Sequence, residues 1–194
     1  MKKIIAAVLV VFMLGSLCAC GSGADSSKDQ ARKAEKREEL MSFNIELNGK
    51  ALTMPFDYSA LTELGYSLQD DNDLEPNAYS TDAYVKNDNG ESLNVQFFNS
   101  SKETKKYSEC QICQMEVTLH KTLEVKLGGG IKFDKHLTAK KLIKTFGEPE
   151  YDFDEDIYRC LSYEDEGYKQ VKFMLYKKGN MKNYNTLIIS NIGK

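Results

Sequence analysis

Residues 43 to 54 read FNIELNGKALTM and are the strongest structural signal in the chain. Apolar residues alternate with polar ones on both sides of Asn48-Gly49, a dipeptide that favours the tight turn of a β-hairpin. The stretch therefore predicts two paired strands. Residues 122 to 133, TLEVKLGGGIKF, alternate in the same way around Gly128 to Gly130 and predict a second hairpin.

Each predicted hairpin is followed by a short helix and then by strands. The first helix is expected over 60–64, between a capping Ser59 and Gly65, and the second runs from a capping Thr138 to Gly147. Alternating segments then predict three strands after each helix: 82–86, 92–98 and 111–119 in the first half, and 158–163, 170–176 and 184–190 in the second.

The same order of elements in both halves predicts an internal duplication. We expect an α+β fold of two tandem repeats, each a short helix packed on an antiparallel sheet. Repeat one is expected over 42–119 and repeat two over 120–194.

The first twenty residues, MKKIIAAVLVVFMLGSLCAC, have the order of an export signal. Two lysines precede an apolar run that is shorter than the roughly 20 residues needed to span a bilayer. The run ends Leu17-Cys18-Ala19-Cys20-Gly21, which resembles the lipobox of bacterial lipoproteins. The resemblance implies removal of residues 1–19 and a diacylglycerol on Cys20 that holds the protein at the extracytoplasmic face of the cell membrane. The alternative is a plain signal peptide, with Cys20 free or in a disulfide.

The segment from 20 to 41 continues with GSGADSSKDQARKAEKREEL and contains few apolar residues larger than alanine. Such a composition cannot bury enough surface to offset its ordering entropy, so it predicts a flexible tether after the lipidated cysteine. Residues 31–40 are strong helix formers, and a solvated helical stalk is the alternative for that part.

The three remaining cysteines suggest either a bridge or buried thiols. Cys110-Gln-Ile-Cys113 has the spacing of half a zinc or redox site, but a second pair is missing and the chain has only two histidines, His120 and His136. In an exported protein we expect a structural disulfide of Cys160 with Cys110 or Cys113. Three reduced, buried cysteines are the alternative.

Other motifs do not favour metal or catalytic chemistry. Asp152, Asp154 and Asp156 have the spacing of a calcium loop, but Ile157 and Tyr163 stand where that loop needs glycine and glutamate. Neither histidine belongs to a hydrolase motif. We therefore predict no catalytic residue, no metal site and no cofactor.

Charge and aromatic content bear on the partner. A formal charge of −3 argues against nucleic acid, whose binding draws on clustered Lys and Arg. Repeat two holds tyrosines that could anchor a partner or stack on sugars, although ordinary β-strand propensity also explains them. They are Tyr158, Tyr163, Tyr168, Tyr176 and Tyr184.

The body also carries a family resemblance, through the segments GKALTMPFDYSALTELGY, LEPNAYS, ECQI, GGGI and FGEPE. They resemble small extracellular lipoproteins of Gram-positive gut bacteria. The helix, FGEP and following strands are also similar to the repeats of β-lactamase-inhibitory protein and of small outer-membrane assembly lipoproteins. The resemblance implies a non-catalytic binding or scaffold module that presents a sheet face to a protein partner. The alternative is an envelope enzyme or receptor acting on cell-wall or dietary glycan.

Overall fold

The structure, a computed structural model, describes residues 23–120 and 122–192. The predicted signal peptide and Cys20 lie outside these residues. The helices are α1 (Gly23–Met41), α2 (Ser59–Thr62) and α3 (Ala139–Phe146). The strands up to residue 120 are β1 (Asn44–Leu47), β2 (Lys50–Thr53), β3 (Phe56–Asp57), β4 (Ser67–Leu68), β5 (Asp73–Leu74), β6 (Ala83–Lys86), β7 (Ser92–Phe98), β8 (Lys105–Lys106) and β9 (Gln111–Thr118). Those after it are β10 (Val125–Leu127), β11 (Ile131–Phe133), β12 (Tyr151–Asp154), β13 (Tyr158–Asp165), β14 (Tyr168–Tyr176) and β15 (Thr186–Ile192).

Both predicted hairpins are confirmed, and they share one small sheet. β1 and β2 pair across Asn48-Gly49, whose φ angles of 48° and 83° are both positive, as the tight hairpin turn requires. β10 and β11 pair across Gly128–Gly130. β1 also pairs with β10, so the four strands lie in the order β11-β10-β1-β2.

The longer strands form a large antiparallel sheet in the order β12-β13-β14-β15-β9-β7-β6-β4. β3 pairs with the start of β9, beyond the point where β15 ends. The centre of the sheet is the pair β9 and β15, which joins strands from the two halves of the chain. Mixed helix and antiparallel sheet, an α+β architecture, is therefore confirmed.

One face of the large sheet is packed into the core. Phe173 of β14 and Tyr163 of β13 lie on this face, and Tyr163 contacts Phe146 of α3 edge to face at 5.7 Å. At the other end, Phe97 of β7 stacks on Tyr107 at 5.1 Å. The small sheet contributes Ile45 and Val125 to the same core. A single continuous core thus joins both sheets and the helices.

The predicted N-terminal cap is confirmed for α3 but not for α2. Thr138 caps α3 as predicted, because its side chain accepts a hydrogen bond from the Lys141 backbone N–H at 3.2 Å. Gly147 ends this helix with a φ of 82°. The predicted cap Ser59 is wrong: Ser59 is the first residue of α2, and the capping position is held by Tyr58 without a side-chain bond.

The segment predicted as a flexible tether is instead helical from Gly23, and the last turns of α1 pack on the body. Leu40 is buried in the core. Arg37 donates to the Glu148 carbonyl at 2.9 Å, pairs with Glu150, and lies 5.4 Å above the ring of Tyr163. Composition predicted solvation, but a few spaced side chains supply enough burial and pairing to dock the helix. No helix among the described residues has the length and apolar character needed to cross a bilayer.

The glycines of residues 128–130 make this docking possible. A Cβ on Gly128 would lie 1.9 Å from the Glu39 carbonyl oxygen, and one on Gly129 would lie 2.4 Å from the Phe146 ring. The Gly129 N–H also donates to the Glu39 carboxylate at 2.9 Å. The run is therefore both a hairpin turn and the seat of the last turn of α1.

Replacing Gly128 with alanine should separate α1 from the body. Because the φ of Gly128 is not positive, the penalty is steric, and we expect G128A to lower the free energy of unfolding by about 1–3 kcal/mol. Hydrogen exchange over 36–41 should rise at the same time. G130A is the control: its φ of 74° also strains an alanine, but a Cβ there meets nothing within 4 Å, so G130A should lower stability without raising exchange over 36–41. Equal exchange over 36–41 in both variants would contradict this account of the docking.

Candidate functional site

The face of the large sheet that points away from the core is the candidate site, and we call it the outer face. Its central row is set by strand register and crosses seven strands, with residues from β12 to β6 directly opposite one another. In order, the row is Tyr151, Ser162, Lys172, Ile188, Glu116, Asn94 and Tyr84. At the usual strand spacing, seven strands extend over about 29 Å.

One end of the outer face is aromatic. Tyr151, Phe153, Tyr158 and Tyr176 form a chain of neighbouring rings, which we call the aromatic ladder, with successive centroids 6.1–6.2 Å apart. Tyr151 is 49% exposed and Phe153 is 38% exposed. Large aromatic side chains left in water on adjacent strands are what a binding surface offers to a partner.

The middle of the row carries polar groups that the protein itself does not satisfy. The Oγ atom of Ser162 and the Oδ1 atom of Asn94 are buried by their neighbours and have no hydrogen-bond partner in the part of the chain that the structure describes. The same is true of Ser190 Oγ in the next row. Between them stands Glu116, whose pKa is raised by burial and by the nearby carboxylate of Asp82. Leaving such buried polar groups unpaired costs stability.

The five tyrosines singled out from the sequence lie in different places. Tyr158 and Tyr176 belong to the aromatic ladder, whereas Tyr168 is exposed at the opposite end of β14 from Tyr176. Tyr163 is in the core instead, and Tyr184 lies at a separate cleft. Sequence alone could not separate these roles, because strand direction and register decide which face each residue occupies.

The predicted disulfide is absent and the register explains why. Cys110, Cys113 and Cys160 are all free and buried. β13, which carries Cys160, is separated from β9 by β14 and β15, so the lateral gap is about 14 Å, far beyond the reach of a disulfide. Burial raises the pKa of the Cys113 thiol to about 11 and also raises that of Cys160, so both stay protonated at neutral pH.

The acidic stretch after α3 forms an edge strand. Asp152 makes a two-pronged contact with Arg159, at 2.8 and 2.6 Å, which lowers the pKa of Asp152, and Asp154 pairs with Lys177. Arg159 and Lys177 thus form ion pairs with two of the carboxylates whose spacing resembles that of a calcium loop. Within residues 23–120 and 122–192, no three His, Cys, Asp or Glu side chains are grouped so as to hold a metal ion.

The structure brings together two histidines that the sequence left unconnected. His120 and His136 line one open cleft of about 830 Å³, beside the β10–β11 hairpin. The signal was present in the sequence: one histidine precedes the hairpin and the other follows it, and a hairpin returns the chain to its starting point. We call this cleft the histidine cleft.

Behind the cleft lies a buried carboxylate that sequence reasoning missed. Glu91 is 1% exposed and accepts hydrogen bonds from Tyr66 Oη at 2.8 Å, Asn87 Nδ2 at 2.7 Å, Asn48 Nδ2 at 3.2 Å and the Thr122 hydroxyl. Burial acts to raise the pKa of Glu91, but these four hydrogen bonds together outweigh it and hold the pKa below the ordinary value. The same carboxylate raises the pKa of Tyr66, together with the burial of that phenol.

Replacing Glu91 with glutamine should destabilise the protein in a pH-dependent way. At pH 7 we expect a loss of about 1–3 kcal/mol, because the glutamine NH₂ group would face donors. Since the folded pKa is below the unfolded one, the advantage of the carboxylate is complete above about pH 4.5 and is lost as the pH falls through the folded pKa. Urea unfolding at pH 7, 5 and 3 measures the difference. The exposed Glu166→Gln change is the control, and a difference that is equal at pH 7 and 3 would refute this assignment.

Comparison of the chain with family models, with curated proteins and with solved structures finds no match. The lipoprotein resemblance based on sequence motifs therefore stays a prediction.

Proposed function

We propose that this chain is a lipid-anchored cell-surface protein, a non-catalytic module whose outer face binds another protein. The observation that carries the proposal is the central row with the aromatic ladder at one end. A standard protein interface covers about 800 Å² on each side, which corresponds to a patch roughly 28 Å across. The seven-strand row has that width, and a small ligand would leave most of it uncovered.

The chemistry of the outer face fits the anatomy of a protein interface. Aromatic residues are enriched at binding hot spots, where they fill pockets on the partner. The ladder supplies four such rings, and Lys172 and Glu116 on the central row stand on either side of Ile188, where a partner could bridge them. An apolar end followed by a polar centre gives both affinity and orientation.

We further propose that the chain consists of two tandem repeats, 42–119 and 120–194. The order of elements supports this: β1–β2, α2 and the strands ending in β9 correspond to β10–β11, α3 and the strands ending in β15. In each sheet the corresponding strands pair at the centre, β1 with β10 and β9 with β15. A duplication of this kind would double the width of a sheet face without lengthening any strand.

The membrane anchor is the other part of the proposal and rests on the lipobox-like segment ending at Cys20. With two acyl chains on a diacylglycerol, membrane attachment is stable, whereas a single chain is marginal. α1 begins at Gly23, three residues after Cys20, and its 19 residues would span about 28 Å. Because α1 is docked on the body, the outer face would keep a fixed relation to this helix rather than turn freely on a coil.

Photo-crosslinking on intact cells tests the outer face. With benzoylphenylalanine at Tyr84 or Tyr151, the exposed ends of the central row, we expect one discrete protein adduct that is absent when the probe replaces Lys140 on α3. Mass spectrometry identifies the adduct. With that partner purified, Y151A together with F153A should weaken binding at least about tenfold. Recovery of glycan alone, or of the same adduct from position 140, would overturn the proposal in favour of a glycan receptor or nonspecific contact.

Metabolic labelling with a fatty acid analogue tests the anchor. We expect label on the wild-type chain and on C18A, and loss of label in C20A, because only Cys20 has Leu17 and Ala19 at the offsets of a lipobox. Membrane fractionation should show release of C20A from the membrane. Labelling that survives in C20A would show that Cys20 is not the attachment site.

A further inference from the structure

The histidine cleft is an open cleft with the volume of a small-molecule site, and it lies apart from the central row. It forms where the end of β9, the β10–β11 hairpin and the segment Gly179–Tyr184 meet. Its volume of about 830 Å³ is within the range of ligand pockets, about 300–1,000 Å³. A smaller cleft of about 380 Å³ adjoins it and shares Lys135, His136 and Asn183.

The first polar group of the cleft is held in a fixed orientation. His120 Nδ1 lies 3.1 Å from the Thr122 hydroxyl, which in turn donates its hydrogen to Glu91. Because that hydrogen is committed to the carboxylate, the imidazole must donate from Nδ1. In the neutral ring Nε2 of His120 then carries a lone pair, and it has no partner among the described residues, so it can accept a hydrogen bond from an O–H group of a ligand.

The lysines that line the two clefts, Lys132, Lys135 and Lys182, outnumber the two carboxylates, Glu124 and Asp134. Glu124 pairs with Lys132 at 3.4 Å, whereas Asp134 accepts the His136 backbone N–H at 2.8 Å and keeps its negative charge. Lys135 in both clefts and Lys182 in the smaller one are exposed and form no ion pair with any described residue. In a chain of net charge −3, this is a local excess of free cations.

The remaining walls are apolar. Phe133 and Leu123 are buried and form the floor, and Leu119 is half-buried beside them. The ring of Tyr184 is 61% exposed and stands at the rim, where it could cover an aromatic ligand. Apolar walls with a few converging polar groups are the usual composition of a ligand site.

We propose that the histidine cleft binds a small organic anion, in which a phosphate or carboxylate head is joined to an aromatic or branched apolar body. The head lies between Lys135 and Lys182, and the body lies on Phe133 under Tyr184. A neutral analogue lacks the charge-assisted hydrogen bonds to the lysines and binds more weakly.

NMR titration of the full mature chain with phenyl phosphate, benzoate and neutral benzyl alcohol tests the proposal. We expect at least one anion to shift the His120 and His136 ring signals saturably, with an affinity at least about tenfold above that of benzyl alcohol. The ratio of the two anion affinities identifies the head group, phosphate or carboxylate. Failure of both anions to saturate, or equal binding of benzyl alcohol, would overturn the proposal.

Variants locate the bound anion. K135Q combined with K182Q should weaken anion binding at least about fivefold, while K140Q combined with K144Q, which removes the same charge from α3, should leave it unchanged. Y184A should weaken the binding of phenyl phosphate but leave the binding of inorganic phosphate unchanged. Equal binding by the two double variants would place the anion elsewhere and refute the assignment. None of these substitutions touches the central row, so the result is independent of partner binding there.

Discussion

The buried carboxylate of Glu91 is the interaction on which the arrangement of the two sheets depends. Its donors come from the β1–β2 turn (Asn48), the chain after α2 (Tyr66), the β6–β7 turn (Asn87) and the link between the halves (Thr122). Since a buried charge without partners would be prohibitive, all four segments must meet at one point. Within residues 23–120 and 122–192 the donors to Glu91 are all neutral.

The predictable part of the fold is local. Asn48-Gly49 and Thr138 specify a turn and a helix start by their own chemistry, and the alternating segments gave strands such as Ser92–Phe98 with correct bounds. β12 was missed because Tyr151–Asp154 is acidic and reads as a loop. It is a strand because β13 supplies the backbone hydrogen-bond partners and Arg159 neutralises Asp152. The low strand propensity of an acidic segment is thus overridden when a segment distant in sequence provides the hydrogen-bond and charge partners.

The missed parts of the candidate sites have the same cause. The sequence around Glu91 does not predict a buried carboxylate, because the four side chains that donate hydrogen bonds to it are spread from residue 48 to residue 122. The docking of α1 depends on a close approach of Gly128 to a backbone carbonyl, which composition does not encode. The two histidines are different: the sequence analysis did not connect them, but their positions on either side of the predicted hairpin were a usable signal of proximity.

The two faces of the large sheet differ in how much their residues contribute to stability. On the core face, Phe173 and Leu187 are fully buried, so replacing either with a smaller residue leaves a cavity and lowers the free energy of unfolding. On the outer face, Tyr151 and Tyr84 are largely exposed and contribute little to folding. Because side chains alternate along each strand, the two sets of residues are independent although they are neighbours in sequence. The proposed binding surface can therefore change its exposed aromatic and polar residues while the fold stays the same, because substitutions at exposed positions usually change stability little.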